Sequence, residues 1–466
     1  MKIAAARDMA AVDRAAAERC GIPVAALMEE AGRRVAEAAA ELLGGAAGRT
    51  VFLVCGRGNN GGDGFVAARL LHEAGADTLA VLADDPASLR PDARAAWEGA
   101  RRAGVACASC PDAAALDALA GRARAADLVV DALLGTGFVP PARGIVLAAI
   151  RFINGLDRPV LAVDLPSGLA ADDGHVAGEA VRATATVTFG YPKRGLVEFP
   201  AAALTGRLWC ADIGFPRETD DLVAGDLNLL TPADLAPHLA PRDPQAHKGS
   251  CGHVLVLAGS RGMVGAAALA ARGALRGGAG LVTVALPASV APPLLPSLPE
   301  AMLLPLPDGG TGVAGPAAAD ALRERLAAAN VLVAGPGLSR TAESAALVRE
   351  MARTAAVPLV LDADALHGLA DNPAMQPAWR CGPAVLTPHP GEAARLLGTD
   401  ATAVQADRVA AARRCAAHFG AAVVLKGART VIAEPGGTAW INPTGNPAMA
   451  APGMGDVLAG LIGAHL

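Results

Sequence analysis

The chain has 466 residues, of which 53% are apolar and 18% are charged, and its formal net charge is -5. This length suits two large or three ordinary domains, and the apolar content excludes an intrinsically disordered chain. The small negative charge argues against a polyanion-binding surface, so nucleic acid is not an expected partner.

Neither a membrane segment nor a disulfide framework is predicted. The uncharged, apolar stretch at residues 281–299 contains five prolines and cannot form one spanning helix. The N-terminal segment is charged and lacks an apolar signal core, so we expect a cytoplasmic protein. Eight cysteines are too few for a disulfide framework. The closely spaced pair Cys107 and Cys110 is interpreted as small apolar filler.

In the first half of the chain, short apolar runs alternate with Ala-rich stretches that carry spaced charges. The apolar runs predict buried parallel strands, and the Ala-rich stretches predict helices. The predicted strands are 50–55, 78–82, 127–131, 159–164 and 185–189, and the predicted helices include 10–20, 27–42 and 64–74. The pattern predicts a Rossmann-like, doubly wound sheet with ligands outside the carboxyl ends of its strands.

Charge and proline concentrate in residues 217–241, which predicts a linker between a domain at 1–216 and a domain at 242–466. Beyond this linker the α/β pattern resumes. The predicted strands there are 252–258, 280–285, 331–334, 359–362, 384–387 and 421–425. No motif recurs at a fixed offset, so the two halves are not a repeat.

Polar segments follow three predicted strands of the first half. CGRGNNGGDG (residues 55–64) has glycines that let the backbone approach a phosphate, with polar side chains between them. Asp131 and Asp164 end two other strands, and Ser167 follows Asp164. Each segment alone could simply form a tight turn or cap one. Together they favour a shared cleft, in which Asn60, Asp131 and Ser167 could hold a weakly bound cation through hard oxygen atoms.

The second half carries a lysine at a strand end (Lys426), TPHPGE (residues 387–392) and GMGD (residues 453–456). A glycine pair before a helix can cradle an anion, and Asp456 in the first turn could handle a transferred phosphoryl group. His389 could instead be a rigid loop residue, and Lys426 a solvated strand end. Asp362 and Asp364 either bind a magnesium-bridged phosphate or cap the next helix.

The first half resembles the NAD(P)HX epimerase (YjeF N-terminal) family in GRGNNGGDG, DALLGTG, DLPSG and FGYPKRGL, over about residues 8–216. The resemblance implies that Asp164 contacts the substrate as an acid/base and that Asn60, Asp131 and Ser167 hold K⁺. It also implies a set of residues that bind the hydrated dinucleotide: Asn59, Asn60, Gly61, Gly62, Asp63, Gly135, Thr136, Gly137, Phe138, Val139, Pro140, Pro141 and Asp164. Inverting C6 of the damaged nicotinamide ring requires proton transfer at its hydroxyl and stabilisation of a cation, and a carboxylate can provide both.

From about Arg242 onward the chain resembles the ADP/ATP-dependent NAD(P)HX dehydratase (YjeF C-terminal) family, which has a ribokinase-like fold. The resemblance implies that Asp456 activates the C6 hydroxyl toward phosphate, with Mg²⁺ accompanying ADP or ATP. The implied contacts to the hydrated dinucleotide are Ala266, Gly337, His389 and Asp456. The implied adenine-nucleotide site comprises Lys426, Gly427, Ala428, Arg429, Thr430 and Gly455. Bacterial members of the family that this chain resembles use ADP, and the Ala- and Arg-rich composition is typical of a high-GC bacterium, so the resemblance implies ADP over ATP as the donor.

Two features depart from the second family. Pro452, in the glycine loop, has no N–H to donate to a phosphate. The chain also stops at Leu466, inside the predicted last helix, so we expect either a truncated chain or a short lineage.

Together the resemblances imply a bifunctional nicotinamide-nucleotide repair enzyme that works as a homo-oligomer. The alternatives are a ribokinase-like small-molecule kinase and a non-catalytic dinucleotide-binding scaffold. The presence of Asn60, Asp131, Asp164 and Ser167 speaks against the scaffold.

Overall fold

The computed structural model describes residues 1–239, 241–370, 379 and 383–466, which form two compact units, residues 1–229 and 230–466. The division lies within the stretch predicted to be a linker. Over the described residues, no helix is long and apolar enough to cross a membrane. Each unit contains a largely parallel sheet with helices between its strands, so the predicted two-domain α/β fold is confirmed.

The first unit contains a seven-stranded parallel sheet with the order β3-β2-β1-β4-β5-β6-β7. The order reverses between β1 and β4, where such sheets bind ligands. Its strands are β1 (Thr50–Cys55), β2 (Asp77–Leu82), β3 (Ala106–Ser109), β4 (Leu128–Ala132), β5 (Val160–Val163), β6 (Ala185–Phe189) and β7 (Arg207–Ala211); a further short strand, β8 (Leu227–Leu229), bonds to the N-terminal residues. Its helices are α1 (Ala6–Glu18), α2 (Val24–Leu43), α3 (Asn59–Glu73), α4 (Pro91–Arg102), α5 (Ala113–Asp117), α6 (Ala120–Ala125), α7 (Gly144–Asn154) and α8 (Arg194–Val197).

Helix α3 begins earlier than the sequence predicts. We expected a glycine loop through Gly64 followed by a helix, but the loop ends at Gly58 and the helix begins at Asn59. The later glycines serve close packing: a Cβ on Gly64 would lie 2.6 Å from the Cβ of Ala132 and 2.8 Å from the sulfur of Cys55. The close approach of the helix to the sheet therefore favours glycine in this first turn, although glycine has a low helix propensity.

The strands of the second unit lie in the order β11-β10-β9-β12-β13-β14-β15-β16-β17. They are β9 (His253–Leu257), β10 (Leu281–Pro287), β11 (Met302–Leu306), β12 (Val331–Ala334), β13 (Leu359–Leu361), β14 (Ala384–Leu386), β15 (Ala422–Leu425), β16 (Val431–Ala433) and β17 (Ala439–Ile441). Its helices are α9 (Pro232–Leu235), α10 (Val264–Gly277), α11 (Ala319–Leu326), α12 (Ala342–Thr354), α13 (Asp364–Ala370), α14 (Pro390–Leu396), α15 (Ala401–Ala406), α16 (Arg408–Phe419) and α17 (Met454–His465). The pairings between neighbouring strands from β11 to β15 are parallel. The pairings of β15 with β16 and of β16 with β17 are antiparallel, and the sequence did not predict this antiparallel end of the sheet.

The last helix, α17, packs closely against α10 through small residues. A Cβ on Gly460 would overlap the carbonyl oxygen of Ala270, and one on Gly273 would overlap the backbone of Val457. This close approach fixes the start of α17, and therefore Asp456, relative to the carboxyl ends of the central strands.

Candidate active sites in the two units

A cleft of about 980 Å³ opens at the carboxyl ends of β1, β4 and β5 in the first unit. It is lined by many of the residues predicted to bind a dinucleotide: Asn59, Asn60, Asp63, Gly135, Thr136, Gly137, Phe138, Val139 and Asp164. Gly61 and Gly62 instead pack inward, where a Cβ would meet the carbonyl oxygen of Gly56 or the side chain of Met28. The polar segments after three separate strands therefore do form one cleft.

Asp164 is held at the base of this cleft by a buried lysine. Its Oδ1 atom accepts hydrogen bonds from Lys193 Nζ at 2.7 Å and from Thr188 Oγ1 at 3.1 Å. Lys193 Nζ also donates to Thr188 Oγ1 at 2.8 Å and to the carbonyl of Phe189 at 3.1 Å. Lys193 is 1% exposed and Asp164 8%. Asp164 has a φ of +66°, a strained backbone conformation for a residue other than glycine. These contacts hold its carboxylate in place, facing the cleft.

Two further carboxyl groups line the same cleft. The side chain of Asp13, on α1, is open to the solvent of the cleft, whereas Asp63, on α3, is buried. Desolvation by the surrounding protein, followed by the negative charge of Asp164, raises the pKa of Asp13 to about 6, while Lys193 opposes that rise. Desolvation, followed by the negative charges of Asp164 and Asp13, raises the pKa of Asp63 well above its usual value.

Asn60, Asp131 and Ser167 form one hydrogen-bonded set around residues 133–135. Asp131 accepts the Ser167 hydroxyl at 2.6 Å and the Ser167 amide at 2.7 Å. The Ser167 hydroxyl accepts the Leu134 amide at 3.0 Å, and Asn60 Nδ2 donates to the Leu134 carbonyl at 2.9 Å. Burial raises the pKa of Asp131 to about 6, although the hydrogen bonds from Ser167 and Leu133 oppose it. The three predicted cation ligands are therefore all buried and lie close together around residues 133–135.

In the second unit, Asp456 stands at the N-terminus of α17 beside a buried ion pair. Lys426 Nζ lies 2.5 Å from Asp362 Oδ1 and 3.8 Å from Glu392 Oε2. Desolvation, followed by the negative charge of Asp362, raises the pKa of Asp456 to about 6, and Lys426 opposes that rise. The interpretation of Lys426 as a solvated strand end is wrong, because Asp362 is 1% exposed and binds it. Asp362 thus pairs with a lysine instead of capping a helix.

Asp364 and His389 organise nearby loops. Asp364 accepts the Ser339 amide at 2.9 Å and Arg340 Nε at 3.1 Å. His389 caps α14: its Nδ1 accepts the amides of Gly391 and Glu392, while its own amide donates to Glu392. Its side chain remains 54% exposed, so a capping role leaves one face of the ring accessible.

The remaining predicted residues of the second unit fall into two groups. Ala266 lies against Gly337, where a Cβ would come within 3.0 Å of the alanine Cβ. Residues 426–430 form the turn between β15 and β16, in which Thr430 Oγ1 donates to the Gly427 carbonyl and Arg429 has a φ of +56°. Gly455 adjoins the ion pair: a Cβ there would lie 3.3 Å from Lys426 Nζ. The start of α17, at Gly455, therefore lies beside the first residue of this turn.

Sequence reasoning gave no role to Asp13, Lys193 or Glu392, although all three line or complete these sites. Lys193 lies in the FGYPKRGL segment that carried the resemblance, and Glu392 lies in TPHPGE. Those motifs were therefore the available signal for both residues. No local signal identifies Asp13, because a charged residue on an amphipathic helix ordinarily faces bulk solvent.

Two family models match the chain. The model described as YjeF-related protein N-terminus matches residues 24–195, and the model described as NAD(P)H-hydrate dehydratase matches residues 254–466. A bifunctional NAD(P)H-hydrate repair enzyme of Moorella thermoacetica is 46% identical over 463 residues, covering 99% of this chain and 87% of the relative. The corresponding enzyme of Escherichia coli is 36% identical over 468 residues, covering 99% and 84%. The crystal structure of an ADP/ATP-dependent NAD(P)H-hydrate dehydratase from Bacillus subtilis is 36% identical, covers 52% of this chain and 81% of its own, and has a TM-score of 0.44.

Proposed function

The chain belongs to the family of bifunctional NAD(P)H-hydrate repair enzymes, and we propose that it performs both reactions of that family. The first unit interconverts the R and S forms of hydrated NADH or NADPH, and the second dehydrates the S form. The observation that carries this proposal is the presence of a separate carboxylate site in each unit, centred on Asp164 and on Asp456.

For the first reaction, we propose that Asp164 faces C6 of the hydrated ring. The C6–O bond breaks as the hydroxyl takes a proton and leaves as water, and the ring nitrogen forms a double bond to C6. The carboxylate of Asp164, held by Lys193 and Thr188, stabilises this cation. Water then adds to the other face of C6 and gives up a proton, which completes the inversion.

We propose that K⁺ binds beside this centre, held by Asn60, Asp131 and Ser167. The support is the chemistry of the donor set. Asp131 is buried, and the three donors that bond to it, the Leu133 amide and the amide and hydroxyl of Ser167, are all neutral. Hard oxygen ligands suit such a cation better than a transition metal. The bound ion would offset the buried carboxylate and stiffen the loop at 133–135 that borders the dinucleotide cleft.

For the second reaction, we propose that Asp456 takes the proton of the C6 hydroxyl. The oxygen of that hydroxyl then attacks the terminal phosphorus of ADP or ATP. The shortened nucleotide leaves. Phosphate then departs from C6 with the bonding electrons, and loss of a C5 proton forms the C5=C6 bond of NADH or NADPH. Mg²⁺ would neutralise charge on the transferred group. Lys426, Gly427, Ala428, Arg429, Thr430 and Gly455 are the proposed nucleotide contacts, and Ala266, Gly337 and His389 the proposed substrate contacts.

The test is the recovery of absorbance at 340 nm from a mixed R/S preparation of hydrated NADH. The full chain is supplied with Mg²⁺ and K⁺ and with either ADP or ATP. Full recovery with one nucleotide would support both activities and identify the donor, which we propose to be ADP. A stable phosphorylated product without NADH would contradict the dehydratase assignment. We also propose that the chain is a cytoplasmic homo-oligomer, and size-exclusion chromatography with light scattering in the same buffer tests its oligomeric state.

A further inference from the structure

The first unit contains an acidic side chain, Asp13, that has no role in the epimerisation mechanism proposed for Asp164. Asp13 lies on α1, outside the residues matched by the family model, yet its side chain lines the same cleft as Asp164 and Lys193. Helix α1 is anchored by its buried face, with Met9 and Val12 in the core, so Asp13 is held in place on the cleft side. The side chain is exposed there, which leaves its carboxyl free to meet a ligand.

The inversion of C6 needs a proton donor as well as an anion. Asp164 is hydrogen-bonded to a buried lysine and can serve as the anion and proton acceptor on one face of the ring, so a second group is needed to donate the proton that the leaving hydroxyl requires. Asp63 is buried on α3, whereas Asp13 is exposed in the cleft, so Asp13 is the carboxyl that a ligand can reach more easily. A carboxyl with a pKa near the ambient pH is the better acid/base, and Asp13 has a pKa of about 6.

We propose that Asp13 is the second catalytic carboxyl of the epimerase site and handles the proton at the C6 oxygen, opposite Asp164. This inference rests on the proposed epimerase function of the first unit. As C6–O breaks, the oxygen takes its electron pair and the Asp13 proton and leaves as water. The incoming water attacks the other face of C6 and loses its proton to Asp164. In the reverse direction the two carboxyls exchange roles, and solvent resets the protonation of both.

The charges around Asp13 determine the pH at which it can act. Asp164 and Lys193 face it from the sheet, and Asp63 faces it from α3. The segment Arg217–Leu222 packs against α1, but its Asp220 accepts a hydrogen bond from the Tyr191 hydroxyl. Other charged residues line the same cleft: Arg57, Asp84, Arg90 and Arg143. Because the acid must be protonated, epimerisation should slow as the pH rises above about 6.

The experiment compares the full chain with Asp13→Asn and Asp13→Glu, starting from pure R-NADHX and following the S form by chromatography. We expect Asp13→Asn to lower kcat by about 10²- to 10⁴-fold with KM nearly unchanged, and to abolish the loss of rate above about pH 6. Asp13→Glu should restore part of kcat, which a purely structural role would not explain. Glu18→Gln, a carboxyl change on the exposed face of the same helix, is the matched control and should leave kcat unchanged.

Two outcomes would overturn the inference while leaving the epimerase function standing. One is an Asp13→Asn variant that epimerises as fast as the unaltered chain across the pH range. The other is an S product that keeps its original oxygen when the reaction runs in H₂¹⁸O, because the proposed step exchanges that oxygen with solvent. If the unaltered chain does not epimerise R-NADHX at all, the proposed function itself fails, and the two failures are thus distinguishable. Hydrogen exchange in peptides of the first unit, at the rate of the unaltered chain, reports that the first unit of each variant has folded.

Discussion

Replacing Lys193 with methionine should damage both the stability of the first unit and its chemistry. Lys193 Nζ makes three hydrogen bonds, to Asp164, Thr188 and the Phe189 carbonyl, at 2.7, 2.8 and 3.1 Å. Methionine nearly preserves the buried volume but removes the cation, and it leaves the carboxylate of Asp164 without its partner. Removing one member of a buried ion pair costs about 3–5 kcal/mol.

The lower end of this range applies here, since Asp164 faces a cleft that water can enter. A loss of about 3 kcal/mol corresponds to a change of roughly 150-fold in an opening equilibrium, at about 1.36 kcal/mol per tenfold. Hydrogen exchange with mass spectrometry measures this change locally, in peptides that contain β5 and β6, the strands that adjoin the pair. Peptides from the second unit provide an internal reference and should exchange at an unchanged rate.

A double variant separates the lost ion pair from a general packing defect. Lys193→Met combined with Asp164→Leu removes both charges, so it should protect β5 and β6 better than Lys193→Met alone. Both variants should lack epimerase activity. Exchange in β5 and β6 at the rate of the unaltered chain, together with normal epimerisation by Lys193→Met, would refute the claim that Lys193 holds Asp164 in place.

Three further predictions concern the remaining parts of the two sites. Dehydration of S-NADHX should accelerate as the pH rises through about 6, because Asp456 must be ionised to accept a proton. Asp456→Asn should lower the rate of dehydration by about 10²- to 10⁴-fold. A rate independent of pH between 5 and 7 would argue against this role. Gly460→Val should destabilise the second unit by about 1–3 kcal/mol or more in urea unfolding, because its side chain would overlap the Ala270 carbonyl, whereas Gly436→Ala, in open space, should be nearly neutral. Replacing K⁺ with tetramethylammonium should lower the melting temperature of the unaltered chain, and Asp131→Asn should remove the difference between the two cations; equal melting temperatures in both salts would contradict a bound K⁺.

Much of the fold could be predicted because buried parallel strands have continuous apolar sequences. Thr50–Cys55 and Val331–Ala334 match the predicted strands at both ends. The strands that were missed lie toward sheet edges or are short: β3 has little burial, and β16 and β17 each have three residues. Such strands carry too few apolar positions to be distinguished from loops, so the antiparallel end of the second sheet could not be foreseen.

The candidate site was predictable where a residue follows a strand directly, and not where tertiary structure brings it in. Asp131 lies at the end of β4, and Asp164 and Ser167 follow β5, so strand order alone brings them to one edge of the sheet. The contact between Asp164 and Lys193 spans 29 residues and depends on the chain turning back after β6. Asp13 reaches the cleft only because of the place at which α1 packs on the first unit, and no local pattern specifies that place.

The most direct test of a two-site repair enzyme uses one inactivated site at a time on a mixed R/S preparation of hydrated NADH, followed at 340 nm. With ADP or ATP, the Asp164→Asn chain should restore NADH quickly only up to the S fraction and then stall at the spontaneous rate of epimerisation. The Asp456→Asn chain should restore almost none, yet it should supply S-NADHX to the Asp164→Asn chain when the two are mixed. Complete, rapid recovery by Asp164→Asn alone, or no gain on mixing, would contradict the division of labour between the two units.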